Sequence, residues 1–160
     1  MMIHMHCCIC GCNPCRCCGK AEDISLLKAV DNTSGQEGTR FPLLFDTNLI
    51  VRGNAVSHDP ESPEFQLSQP GVYLVTASVT GNVSSGDPPA SFTLYLIQDG
   101  NRVVDFTAIT PILQVPNFMS VSEASLLHVP RNGSTVSFHI HADTTVYMSL
   151  ASVSIVKIAD

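Results

Sequence analysis

Gln69-Pro70-Gly71-Val72-Tyr73-Leu74-Val75-Thr76-Ala77-Ser78-Val79 is the stretch that decides the fold class. Pro70-Gly71 is a turn signal, and an extended run follows it. A strand sends alternate side chains to opposite faces. Val72, Leu74, Thr76 and Ser78 therefore share one face, and Tyr73, Val75, Ala77 and Val79 share the other. The second face is wholly apolar and is expected to face a core.

The same period of two recurs on both sides. Downstream, residues 81–89 read as a polar loop. Phe92, Leu94 and Leu96 then alternate with Thr93, Tyr95 and Ile97, apolar on both faces, which predicts a strand covered twice. Asp99-Gly100 is a tight-turn signal, with residues 102–109 returning as the partner strand. Pro111 and Pro116 bracket a loop region that holds Leu113 and Phe118. Residues 121–129 follow as a strand, and Arg131-Asn132-Gly133 is another turn. Val136, Phe138 and Ile140 share one face, opposite Ser137, His139 and His141. Residues 147–158 are expected as a long last strand.

Upstream, residues 24–30 are an apolar run ended by the turn cluster Asp31-Asn32-Thr33-Ser34-Gly35, read as a strand with a short helix as the competitor. Residues 41–45 and 49–51 are short β-prone runs, and Phe65 and Leu67 alternate around Gln66. About nine or ten short strands with regular turns and no long helix imply an antiparallel all-β sandwich or barrel. The chain has no Trp, so the Cys–Trp–Cys framework of immunoglobulin domains is missing. Periodicity alone leaves the jelly roll and other sandwiches open.

Residues 1–21 differ in kind. All seven cysteines lie between Cys7 and Cys18: Cys7, Cys8, Cys10, Cys12, Cys15, Cys17 and Cys18. Gly11, Asn13-Pro14 and Gly19 interrupt any regular period, so this part reads as an extended connector. Residues 22–160 form the expected domain, long enough to bury its own core. Adjacent pairs such as Cys7-Cys8 and Cys17-Cys18 would strain if bonded to each other. The body offers no partner, and an odd count leaves at least one thiol free or bonded outside its own chain. Intermolecular disulfides are the preferred reading. The competitor is a thiolate metal cluster: Cys7, Cys10, Cys12 and Cys15 form two CxxC units, with His4 and His6 nearby. A single residue between the units is too short for the usual zinc knuckle pair, but a metallothionein-like cluster stays open.

Apolar residues are 44% and charged residues 14% of the chain, which argues against disorder of the whole. The net charge of −6 argues against nucleic-acid and anionic-membrane partners. No apolar run approaches the about 18 residues of a membrane span, and no signal peptide is readable. A cysteine-dense tail without a secretion signal is a tension, since disulfides belong to oxidising compartments.

Phe45-Asp46, Asn54, Phe65-Gln66-Leu67 and Gln69-Pro70-Gly71-Val72-Tyr73-Leu74 together resemble the first half of the trimeric jelly-roll heads of the complement C1q and tumour necrosis factor class. Leu94-Tyr95-Leu96-Ile97-Gln98-Asp99-Gly100-Asn101 and the stretch from Ser125 to Phe138 resemble the second half. Within the class the chain is most similar to the C-terminal heads of BclA-type spore-surface collagen-like glycoproteins, over residues 24–158. It departs from them in having no Gly-X-Y stalk; the cysteine connector stands in its place, a layout similar to that of spore-appendage pilins. The resemblance implies a jelly roll, a homotrimer and a place on the spore surface or exosporium. There a protein needs no signal peptide, and its thiols meet oxidant.

Chemistry elsewhere is sparse. His139-x-His141 is similar to a cupin metal motif, yet Thr145 and Val146 stand where the next carboxylate ligand is needed, so surface or interface histidines are expected. Glu123, in an apolar and serine-rich strand, is expected to be solvated or at an interface. Thr76, Ser78, Ser152 and Ser154 read as a polar sheet face in preference to glycan acceptors. No nucleophile elbow, HExxH or phosphate loop is present. The chain is therefore expected to be a non-enzyme without cofactor: a self-assembling structural subunit whose partners are its own copies and other spore-surface proteins. A tail-anchored binding head and a metal-binding protein are the alternatives.

Overall fold

The computed structural model describes residues 24–32, 35–83, 86 and 90–160. These form ten strands: β1 Leu26–Asp31, β2 Glu37–Pro42, β3 Thr47–Arg52, β4 Val56–His58, β5 Glu64–Leu67, β6 Gly71–Val83, β7 Ala90–Gln98, β8 Asn101–Ile112, β9 Asn117–Val129 and β10 Ser134–Ala159. The fold is an all-β antiparallel jelly-roll sandwich.

β10 joins the two layers. Its C-terminal half pairs with β1 on one side and β6 on the other. β3 extends this layer beyond β1, and β9 extends it beyond β6. The first layer thus runs β3-β1-β10-β6-β9. The N-terminal half of β10 pairs with β7 on one edge and with β5 and then β2 on the other. β4 extends this second layer beyond β5, and β8 extends it beyond β7. The strands expected over 136–140 and 147–158 are therefore one element. Between them stands His141-Ala142-Asp143-Thr144-Thr145-Val146, with no Gly or Pro to break the extended backbone. The chain crosses between layers by bending, and the β2 register shifts there.

The apolar face read from residues 72–79 is the inner one: Tyr73, Val75, Ala77 and Val79 are all buried. Phe138 and Ile140 face inward as expected, and both are fully buried. Phe65 sits edge-on to Phe45 at 5.3 Å and to Phe138 at 5.8 Å, and Phe106 meets Phe138 at 5.7 Å. Such geometry suits the ring quadrupole. Each fully buried Phe, Leu or Ile of this core contributes roughly 1.5–3 kcal/mol.

Three boundaries differ from the sequence reading. β2 occupies residues 37–42, not 41–45. Leu43 and Phe45 leave the ladder and fill the core, with Leu43 N donating to Phe138 O at 2.8 Å. β6 continues through Gly81 and Asn82 to Val83. A Cβ on Gly81 would stand 2.7 Å from Val146 Cγ1, so a glycine there permits close approach of β10 and reads falsely as a breaker. Pro111 lies inside β8, an edge strand where a missing N–H is tolerated, and Phe118 lies in the first residues of β9. The residues 24–30 run is a strand, not a helix. At the Pro70-Gly71 turn, Gly71 has φ +137°, and an added Cβ would meet Ala159 O at 2.2 Å. Only glycine fits that position.

Candidate interaction surface

The outer face of the first layer is built in rows set by strand register. Leu26 pairs with Val156, Val156 with Leu74 and Leu74 with Leu126, giving an apolar belt across the layer. Leu126 is 59% and Leu74 37% exposed. The next row is Ile50, Lys28, Ser154, Thr76 and Ala124. Below it stand Ser152, Ser78 and Ser122, then Thr80 and Ser120. Ser78 Oγ and Ser152 Oγ are 2.8 Å apart, as are Thr80 Oγ1 and Ser120 Oγ, so hydroxyls satisfy one another across strands. At the far end Tyr147 and Phe118 flank Asn82, and Leu150 lies beside them. Phe118 is 74% exposed. Asn82 Oδ1 is buried with no hydrogen-bond partner among the described residues.

Two apolar belts thus bracket a hydroxyl band. A groove of about 480 Å³ runs along the band, lined by Thr76, Ser78, Ser152 and Ser154 with Lys28 and Glu123. Exposed apolar belts such as these mark an interaction site. Thr76, Ser78, Ser152 and Ser154 are the polar sheet face expected of them. The belts were not singled out from the sequence, although the outward set of residues 72–78 begins with Val72 and Leu74.

Glu123 lies on β9, which among the described strands is hydrogen-bonded in a ladder to β6 alone and stands at the margin of the first layer. Its Oε1 accepts the Ala124 N–H at 2.9 Å. A carboxylate on an edge N–H blunts unwanted strand pairing. His139 and His141 lie on the outer face of the second layer, on opposite sides of the backbone from Phe138 and Ile140. His139 Nε2 is 3.0 Å from Ser137 Oγ, and its ring stacks on Tyr95 at 5.4 Å. Arg102 Cζ lies over the other part of the same surface, 4.5 Å from the Tyr95 ring centroid. Side chains of neighbouring strands, not a further layer, are what half-cover the outer side of β7. Burial holds the His139 pKa below the ordinary histidine value. Among the described residues no group of His, Cys, Asp and Glu is arranged to hold a metal ion. His58 is buried between Phe45 and Phe65; Nδ1 is 2.8 Å from Asn48 Oδ1 and Nε2 2.9 Å from Ser62 O. Burial also lowers its pKa, against the opposing pull of the Ser62 carbonyl and Asp59.

The connector of residues 1–21, with Cys7, Cys8, Cys10, Cys12, Cys15, Cys17 and Cys18 and the alternative ligands His4 and His6, lies outside the described residues.

No family model and no curated protein sequence matches the chain. Solved structures do share its fold. Murine APRIL at pH 5.0 superposes with a TM-score of 0.61 at 14% identity, over 84% of this chain and 99% of that one. Murine APRIL at pH 8.5 gives 0.57 at 15% identity, over 84% and 99%. Eiger TNF from S. frugiperda gives 0.56 at 16% identity, over 86% of this chain and 94% of that chain. The class the fold defines is therefore the tumour necrosis factor-type jelly roll, and at this identity the likeness is one of fold.

Proposed function

We propose that the chain is a structural subunit whose jelly-roll heads associate as homotrimers and are linked by their N-terminal connectors into a disulfide-cross-linked fibre or coat layer of the spore surface. The observation that carries this reading is the segregation of sulfur: seven cysteines within residues 7–18, and none in a body whose core is already complete. Thiols with no partner in their own domain are placed to bond other copies. The two apolar belts on the outer face of the first layer support the trimer, as does a fold class whose heads are trimeric. Reach supports the linkage. A connector of about 20 residues spans roughly 66 Å when extended, whereas a compact body of this size is only about 40 Å across. The connector can pass one head and reach the next, and a head-to-tail contact that does not close makes a fibre. Oxidised full-length protein on a non-reducing gel should give a ladder that collapses with reductant. A monomer band indifferent to reductant would contradict the cross-link.

The Arg102–Tyr95–His139 stack favours a second reading, a trimeric binding head anchored to a layer by its tail. A solvent-facing cation–aromatic surface is suited to recognition. Discrete trimers, and no fibres, in micrographs of oxidised protein would favour this reading.

A further inference from the structure

We propose that the outer face of the second layer binds an extended peptide that carries two carboxylates about six residues apart. Arg40 and Arg102 are its anchors, and His141, His139 and Tyr95 line the path between them. The inference deepens the second reading above, the binding head, and rests on it. Register places the five side chains on one face. Arg40 pairs with His141 and Pro42 with His139. His139 pairs with Tyr95, and Tyr95 with Thr107. Arg102 comes from the row of Ser137 and Ile97 and lays its guanidinium against the Tyr95 ring. Direct cross-strand partners share a face, and Phe138, Ile140, Leu94 and Leu96 fill the opposite one. From Arg40 on β2 to Arg102 on β8 the path crosses three strand spacings of about 4.8 Å, and it descends four residues of β10 at about 3.4 Å each. The two backbone positions therefore stand about 20 Å apart, the length of about six extended residues.

Charge defines the ends of the path. Acidic residues outnumber lysine and arginine by 14 to 8, yet among the described residues neither arginine sits in an ion pair. The acids of this layer are placed otherwise. Glu64 stands opposite Ser137 on β5, three strand spacings from Arg102. Asp143 accepts from the Ser91 N–H and hydroxyl, each at 2.7 Å. Arg40 and His141 stand side by side across the ladder as donors for one carboxylate. At the other end the Tyr95 ring and the Thr107 hydroxyl, 3.4 Å from Arg102 Nη2, hold the second guanidinium, so less entropy is lost when it takes a carboxylate. The middle is different. It presents Pro42, Ser137, Tyr95 and Ile109, the last 65% exposed, and burial disfavours the charged form of His139. A polyuronate carries a carboxylate on every ring and would set unpaired charges over that middle. A peptide with acids at its ends and small or apolar residues between does not, so the charge spacing selects peptide over acidic polysaccharide.

The test uses the full chain in reductant and a labelled heptapeptide with Glu at both ends and Ser and Leu between, followed by fluorescence anisotropy at low salt. Wild type should bind it with a Kd below about 1 mM. Arg40→Gln and Arg102→Gln should each raise that Kd about threefold to tenfold while strand content is kept. Arg52→Gln, on the edge strand of the other layer, should leave it unchanged. Added salt should weaken binding. Equal affinity for the same peptide with Gln at both ends, or an unchanged Kd in either the Arg40 or the Arg102 variant, overturns the proposal. So does tetragalacturonate bound in the peptide's place and lost in Arg40→Gln; that result moves the class to acidic polysaccharide and leaves the binding head standing. A wild type that takes up neither probe overturns the inference, while discrete trimers against fibres in micrographs decide the reading it rests on.

Discussion

The Tyr73 hydroxyl donates to the Gln69 carbonyl at 2.8 Å, four residues back across the Pro70-Gly71 turn. The ring is fully buried, and its one polar atom is satisfied by the turn that launches its own strand. Tyr73→Phe removes only that bond and should cost about 1 kcal/mol. Tyr73→Asp buries a carboxylate among Val75, Ala77 and Val79 and should cost several kcal/mol, on the order of a domain's whole margin. Thermal melts of the two variants check this. Equal melting temperatures for Tyr73→Asp and wild type would reverse the assigned faces of β6.

Leu126→Lys places a charge in the exposed apolar belt without touching the core. Oligomer mass should fall under reductant, and the melting transition of the resulting monomer should show an intact fold. Sedimentation and circular dichroism together report both. An unchanged trimer would move the contact surface elsewhere.

Stability should fall as pH drops from 7 toward 5. Burial lowers the folded-state pKa of His58 and His139 below 6.5. The unfolded chain therefore takes up their protons first, and stability is lost as pH falls through the unfolded value toward the folded ones. Asp143 acts in the same direction at lower pH: the Ser91 hydroxyl and N–H hold its carboxyl below the ordinary value. Its contribution is present above the unfolded pKa and is lost as pH falls through the folded one. Urea midpoints measured between pH 7 and 5 check the histidine window. His58→Gln and His139→Gln together should flatten the slope.

Residues 22–160, expressed alone, should fold and form the proposed trimer, because they hold no cysteine and, among the described residues, the core cluster begins at Leu27. Light scattering gives the mass. An unfolded product would place structural contacts within the connector.

Most of the fold was legible because it rests on period-two alternation. Tyr73, Val75, Ala77 and Val79 read as inward from the sequence, and so did Phe138 and Ile140. What failed were boundaries governed by tertiary partners. Gly81 looks like a breaker until Val146 is seen against it. His141 through Val146 carry no stop signal, so one strand serves two layers. The interaction surface was only half legible. Its hydroxyl band could be read from Thr76, Ser78, Ser152 and Ser154, but Leu26, Leu74, Leu126 and Val156 form a belt only when register lines up four strands. Glu123 read as solvated or at an interface, and the structure sets it half-buried on β9, in register with Ala77.

The central claim is that connectors bond heads into an open fibre. Electron microscopy of oxidised full-length protein, beside a variant with all seven cysteines replaced by serine, tests it most directly. Wild type should show fibres that survive heat and denaturant until reductant is added, and the serine variant should show short fibres or none that resist. Discrete trimers in the oxidised wild type, with every connector paired internally, would contradict the account.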